Sequence, residues 1–159
     1  MITCDDERLS AHFTLHEFCR SETADARGID NTPPGPIIEA LRNTAAHMEI
    51  VRAALGGKAI KINSGYRSPA LNAAVGSKPT SDHCKGWAVD FVCPAFGTPQ
   101  RICERLVSSD VRFKQLIFEH TWVHISFDLL GELAGVPPKR QVLTLTAGGT
   151  YALGIVGKA

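Results

Sequence analysis

"SDHCKGWAVDFVC", residues 81–93, runs from a polar loop into an alternating apolar segment, and its reading decides the fold. Strand alternation places Ala88, Asp90 and Val92 on one face and Trp87, Val89 and Phe91 on the other. An aspartate thus stands on a strand of otherwise core-like residues, with His83 in the loop before it. Burying an unpaired carboxylate is costly, so a cation has to lie near Asp90. That cation is either a structural partner such as Arg67 or a metal shared with His83.

Working outward, Ile37, Ile38, Leu41, Ala45, Met48, Val51 and Leu55 recur at three- and four-residue spacing, which predicts an amphipathic helix closed by Gly56 and Gly57. The segment before it is polar, with Pro33 and Pro34 as breakers. "KAIKINS" alternates Ile60 and Ile62 with lysines and reads as a short half-buried strand. Ser68 as N-cap, Pro69 at the first position and Gly76 as stop predict a short helix; Thr98 and Pro99 start another, through Ile102, Cys103, Leu106 and Val107.

Downstream, "FKQLIFEHTWVHISF" reads as two strands around a tight connection, the second with Trp122, His124 and Ser126 on one face and Val123, Ile125 and Phe127 on the other. The tail "RQVLTLTAGGTYALGIV" gives two β-prone runs around Gly148 and Gly149, a hairpin signal. Helices alternating irregularly with short strands favour an α+β fold with a mainly antiparallel sheet over a doubly wound parallel one.

The 159 residues fit a single domain, with the core motifs at 58–127, an N-terminal segment and helix over 1–57 and a C-terminal hairpin over 136–159. A net charge of +1 gives no reason to expect nucleic acid or an anionic membrane as partner. The N-terminus is polar and acidic, without the basic-then-apolar pattern of a signal peptide, and no apolar run is long enough to span a bilayer. The five cysteines form no C-x-x-C pair, so reduced thiols are expected; Cys93 and Cys103 read as small buried apolar residues.

Catalytic zinc sites take three protein ligands and leave a position for water. His83 and Asp90 can supply two, and His124 is the natural third, since it and Asp90 lie on single faces of two strands that can be neighbours. Hydrolysis further needs a base, for which Glu119 stands five residues before His124. It also needs a cation for a carboxylate or oxyanion, which Arg67 in "SGYRS" can supply bidentately. His120 and His124 form H-x-x-x-H, but the residues around them favour a strand, on which two such positions lie too far apart to share one ion easily. His120 therefore reads as a rim residue. His12, His16 and His47 read as surface or helix-face residues.

"SGYRSPALNAAVGSKPTSDHCKGWAVDF" followed by "FEHTWVHISF" resembles the zinc D-Ala-D-Ala carboxypeptidase and L-alanyl-D-glutamate endopeptidase family, with its S-G-Y-R-S block, its S-x-H-x-x-G-x-A-x-D block and an acid before W-x-H. The resemblance runs closely from Lys58 to Phe127, and "FTLHEF" and "RQVLTLTAGG" are similar to the flanks of small phage-encoded members. It implies a fold shared with the Hedgehog signalling domain: a small antiparallel sheet backed by helices, with one zinc on its open face. It implies His83, Asp90 and His124 as zinc ligands, Glu119 as general base, and Arg67 and Ser81 as contacts to substrate or transition state. Tyr66 and Trp122 are further candidates to line the pocket, although core packing is the commoner use of such aromatics. In better known members the acid precedes the last histidine by three positions; here that position is Thr121, which cannot be a base. Cys84, beside His83, matches no ligand position.

The resemblance implies a zinc-dependent peptidase acting on stem peptides of bacterial peptidoglycan, phage or prophage encoded and monomeric. Such a chain would be made in the bacterial cytoplasm and reach the wall by holin-type release or within a virion. The competing reading is a non-catalytic phage structural or wall-binding module that keeps the fold and the zinc as a staple.

Overall fold

The computed structural model describes residues 7–157. Cys4 lies outside the described residues. The helices are α1 (Leu15–Cys19), α2 (Glu22–Arg27), α3 (Gly35–Ala54), α4 (Pro69–Ala74), α5 (Pro99–Val107) and α6 (Leu129–Leu133). The strands are β1 (Lys61–Ser64), β2 (Ala88–Val92), β3 (Gln115–Phe118), β4 (Val123–Ser126), β5 (Gln141–Leu145) and β6 (Tyr151–Leu153). They hydrogen-bond in the order β1-β2-β4-β3-β5-β6. No helix among the described residues is long and apolar enough to cross a membrane.

The chain divides into two compact units: one holds the residues up to Glu49 together with Ile62–Val89, the other Ile50–Lys61 together with the residues from Asp90 onward. In the first, α3 buries Leu41, Ala45 and Met48 completely. Each fully buried side chain of leucine or methionine size contributes about 1.5–3 kcal/mol. Helices α1 and α2 occupy the polar segment for which no element was expected. They are too short to show a hydrophobic period, but their caps are written locally. Thr14 and Glu17 form a capping box, with the Thr14 N–H donating to Glu17 Oε2 at 2.7 Å, and Ser21 caps α2. Ser68 caps α4 with Pro69 in its first turn, as expected.

In the second unit, Thr98 caps α5, which buries Ile102, Cys103 and Leu106, while Val107 turns outward at 42% exposure. Burial pushes the Cys103 thiol up to about 12, with Glu104 adding to the shift. Strands β3 and β4 pair antiparallel, with Ile117 opposite His124, and β5 and β6 pair antiparallel around the expected glycine turn.

The sheet is mixed rather than purely antiparallel: beside the antiparallel pairs, β5 lies parallel to β3, with Ile117 opposite Leu143. A tight connection can only return a strand antiparallel, whereas parallel neighbours need a crossover of about a dozen residues or more. The stretch between β4 and β5, which holds α6, supplies that length.

Candidate metal centre

Asp90 and His124 meet because β2 and β4 are neighbours in the sheet. Asp90 Oδ1 lies 2.9 Å from His124 Nδ1, with the two side chains 13% and 12% exposed. Val123 and Ile125 on β4, and Phe127 just beyond its end, are buried on the core side, which turns His124 to the opposite face as strand alternation requires.

His83 arrives from a single 3-10 turn, Asp82–Lys85, whose construction explains the surrounding motif. Ser81 is its N-cap, its Oγ accepting the His83 N–H at 3.3 Å. Gly86 closes the turn in the left-handed region at φ 74°, and a Cβ there would press on Ile37 and Leu41 at 3.3 Å. Its carbonyl accepts the Thr44 hydroxyl at 2.6 Å, tying the turn to α3. The imidazole itself is 2% exposed, and its Nδ1–H donates to the Gly65 carbonyl at 2.6 Å. A carbonyl can only accept, so the proton of the neutral ring resides on Nδ1 and Nε2 presents its lone pair. This is the outer-sphere arrangement that orients ligating histidines.

The ligand atoms of His83, Asp90 and His124 all lie within 4.8 Å of one another. Two imidazoles and one carboxylate are the nitrogen and oxygen donor set of a catalytic zinc site with an open position. The residues therefore fit the metal that the motif implies, and the group does not include Cys84. Burial pushes the Cys84 thiol up, against an opposing pull from the Arg67 charge.

Arg67 follows the Gly65 turn. Its backbone N–H donates to the His83 carbonyl at 3.1 Å, so the arginine and the histidine are registered through the main chain. Its side chain reaches Ser64 Oγ at 3.4 Å, Asn72 Oδ1 at 3.4 Å and Ser77 Oγ at 2.7 Å. Tyr66 is 5% exposed, and burial raises the pKa of its hydroxyl. Its backbone N–H donates to the Phe18 carbonyl at 2.7 Å.

Glu119 opens the β3–β4 connection, its N–H donating to the Trp122 carbonyl at 3.1 Å and its carbonyl accepting from Thr121 N–H at 2.7 Å. His120 takes the left-handed conformation at φ 62° in this turn, a region histidine enters more readily than bulkier residues. Its exposed ring packs on Phe118 and places Nε2 2.6 Å from the Leu145 carbonyl of β5. Trp122 is half-buried, with its Nε1 enclosed and no acceptor in reach among the described residues.

Three positioning residues were not singled out in the sequence. Asn31 donates from Nδ2 to the Cys19 and Tyr66 carbonyls at 2.8 and 3.1 Å, and its Oδ1 accepts the Ser68 N–H at 2.7 Å, fixing both ends of the "YRS" turn. Asn72 and Ser77 hold Arg67. An asparagine in a polar segment or on a short helix carries no pattern that separates it from a turn residue, so only the fold reveals these roles.

The family described as Peptidase M15 matches residues 11–126, a span that contains the three clustered residues His83, Asp90 and His124, together with Glu119 and Arg67. No curated protein matches the chain. The match covers well over half of the sequence and encloses a donor set suited to zinc: the chain belongs to the M15 family of peptidases, the zinc D-Ala-D-Ala carboxypeptidase-like metallopeptidases.

Proposed function

We propose that the chain hydrolyses peptide bonds in the D-amino-acid-containing stem peptides of bacterial peptidoglycan, as a carboxypeptidase or an endopeptidase. The observation that carries this reading is the convergence of His83, Asp90 and His124 within a family of metallopeptidases. Zinc, when bound, supplies a Lewis acid and lowers the pKa of its water from about 15.7 toward 7. In the proposed cycle His83, Asp90 and His124 hold that ion. Glu119 takes the proton of the attacking water and passes it to the leaving amine. Arg67 steadies the carboxylate or oxyanion with its planar fork. Ser81, which caps the turn that presents His83, is the proposed further contact to substrate or transition state, and Tyr66 and Trp122 are the proposed aromatic flank of the substrate.

The proposal extends to a phage or prophage setting, supported by the likeness of "FTLHEF" and "RQVLTLTAGG" to the flanks of small phage-encoded members. In that setting a monomer made in the bacterial cytoplasm meets the wall after holin-type release or as part of a virion.

Mass spectrometry of defined muropeptides incubated with the zinc-loaded protein tests the reaction, because the product masses name the bond. A muropeptide split with gain of one water supports the proposal. Intact muropeptides from several wall types, with zinc bound to the protein, would instead favour a wall-binding module that keeps the metal as a staple.

A further inference from the structure

We infer that Asn72 and Ser77 are positioning residues that aim the Arg67 guanidinium, and through it set a preference for substrates carrying a free carboxylate on the leaving residue. This rests on the proposed role of Arg67 as carboxylate holder. A guanidinium grips a carboxylate through two parallel N–H bonds, so its worth depends on the direction of its plane. A long arginine side chain spreads over many rotamers unless its other donors are engaged.

Here they are engaged by a dedicated loop. Asn72 is 2% exposed on α4 and shapes the chain that follows it: its carbonyl accepts the Ser77 N–H at 3.0 Å, and its Nδ2 donates to the Lys78 carbonyl at 2.9 Å. Those two bonds fold residues 77 and 78 back onto the helix and set the Ser77 hydroxyl 2.7 Å from Arg67 Nη1. Asn72 Oδ1 accepts from the same Nη1 at 3.4 Å, while Ser64 Oγ accepts from Nε at 3.4 Å. Ser64, Asn72 and Ser77 are neutral acceptors, so each gives direction to the guanidinium without adding a charge of its own.

The test uses the zinc-loaded full chain as wild type, Ser77→Ala, Ser77→Thr and Asn72→Ser, and whichever defined muropeptide the wild type cleaves, free and with the carboxylate of its leaving residue amidated. Loss of a hydrogen bond to a charged group predicts a fall in kcat/KM of about tenfold to a hundredfold for Ser77→Ala on the free carboxylate. The amidated substrate should be barely affected, and Ser77→Thr should recover most of the loss. The Nε–H order parameter of Arg67 from nuclear magnetic resonance should drop in Ser77→Ala and Asn72→Ser. Equal losses on both substrates, or an unchanged order parameter with unchanged preference, would overturn the inference while leaving the peptidase reading intact. A wild type that cleaves nothing would overturn both.

Discussion

His124 Nδ1 and Asp90 Oδ1 stand 2.9 Å apart on neighbouring strands, each side chain only about one-eighth exposed. The adjacency of β2 and β4 brings this pair together before any ligand is considered, and each residue sits inside its own strand with buried apolar neighbours on either side. A buried carboxylate needs a cation, and an imidazole beside it that can ligate makes a metal the economical answer. His83, its tautomer set by the Gly65 carbonyl, offers the third donor atom of the cluster.

Glu119→Gln keeps the shape of the β3–β4 turn, which is held by main-chain bonds, and removes only the carboxylate. The variant should bind zinc as the wild type does and lose at least about a hundredfold in kcat, the usual contribution of a general base. Metal content and muropeptide hydrolysis measured side by side check this; full activity would remove Glu119 from the role and leave its five-residue spacing from His124 without catalytic meaning.

Gly65→Ala should be costly although it adds one methyl group. A Cβ at this position would sit 2.6 Å from the Phe18 carbonyl oxygen and 2.9 Å from the Phe18 Cα, both main-chain atoms that cannot swing aside. The turn would have to shift, and the carbonyl that orients His83 would shift with it. A loss of about 1–3 kcal/mol is expected from overpacking of this kind, together with weaker zinc binding through the disturbed outer sphere. Denaturant unfolding and a zinc titration read the two effects; wild-type values in both would refute them.

Glu49 gives the fold a pH dependence through its contacts with Ser10 and His12. Burial alone would raise its carboxyl, but hydrogen bonds from Ser10 Oγ, the His12 ring and the His12 N–H hold it below its ordinary range. A carboxyl lowered on folding stabilises the native state above its unfolded pKa of about 4.3, and the benefit fades as pH falls through the lower folded value. Glu49→Gln should therefore cost about 1 kcal/mol at neutral pH, with the gap from wild type closing below about pH 4. Thermal melts across that range decide it, and a gap that widens on acidification would contradict the sign.

The legible parts of the fold were those written in local chemistry. Ser68 with Pro69 and Thr98 with Pro99 announced α4 and α5, and the long period through Leu41, Ala45 and Met48 announced α3. The capping box of Thr14 and Glu17 was equally local, but α1 is so short that no hydrophobic stripe accompanies it. The parallel pairing of β3 with β5 was hidden for another reason: strand direction depends on the path of the connection through α6, which no residue pattern in either strand records. At the metal centre the alternation around Asp90 and His124 placed both residues on usable faces, whereas Asn31, Asn72 and Ser77 act through contacts between segments distant in sequence or across a loop and left no periodic trace.

Native mass spectrometry of zinc binding by the wild type and by His83→Ala, Asp90→Ala and His124→Ala probes the metal centre most directly, with Glu119→Gln as a folded control. A single three-ligand centre predicts about one zinc per wild-type chain, retained in Glu119→Gln and lost or weakened by orders of magnitude in each ligand variant. A wild type that ignores added zinc, or folded ligand variants that all bind it as tightly as the wild type, would contradict the assignment of His83, Asp90 and His124.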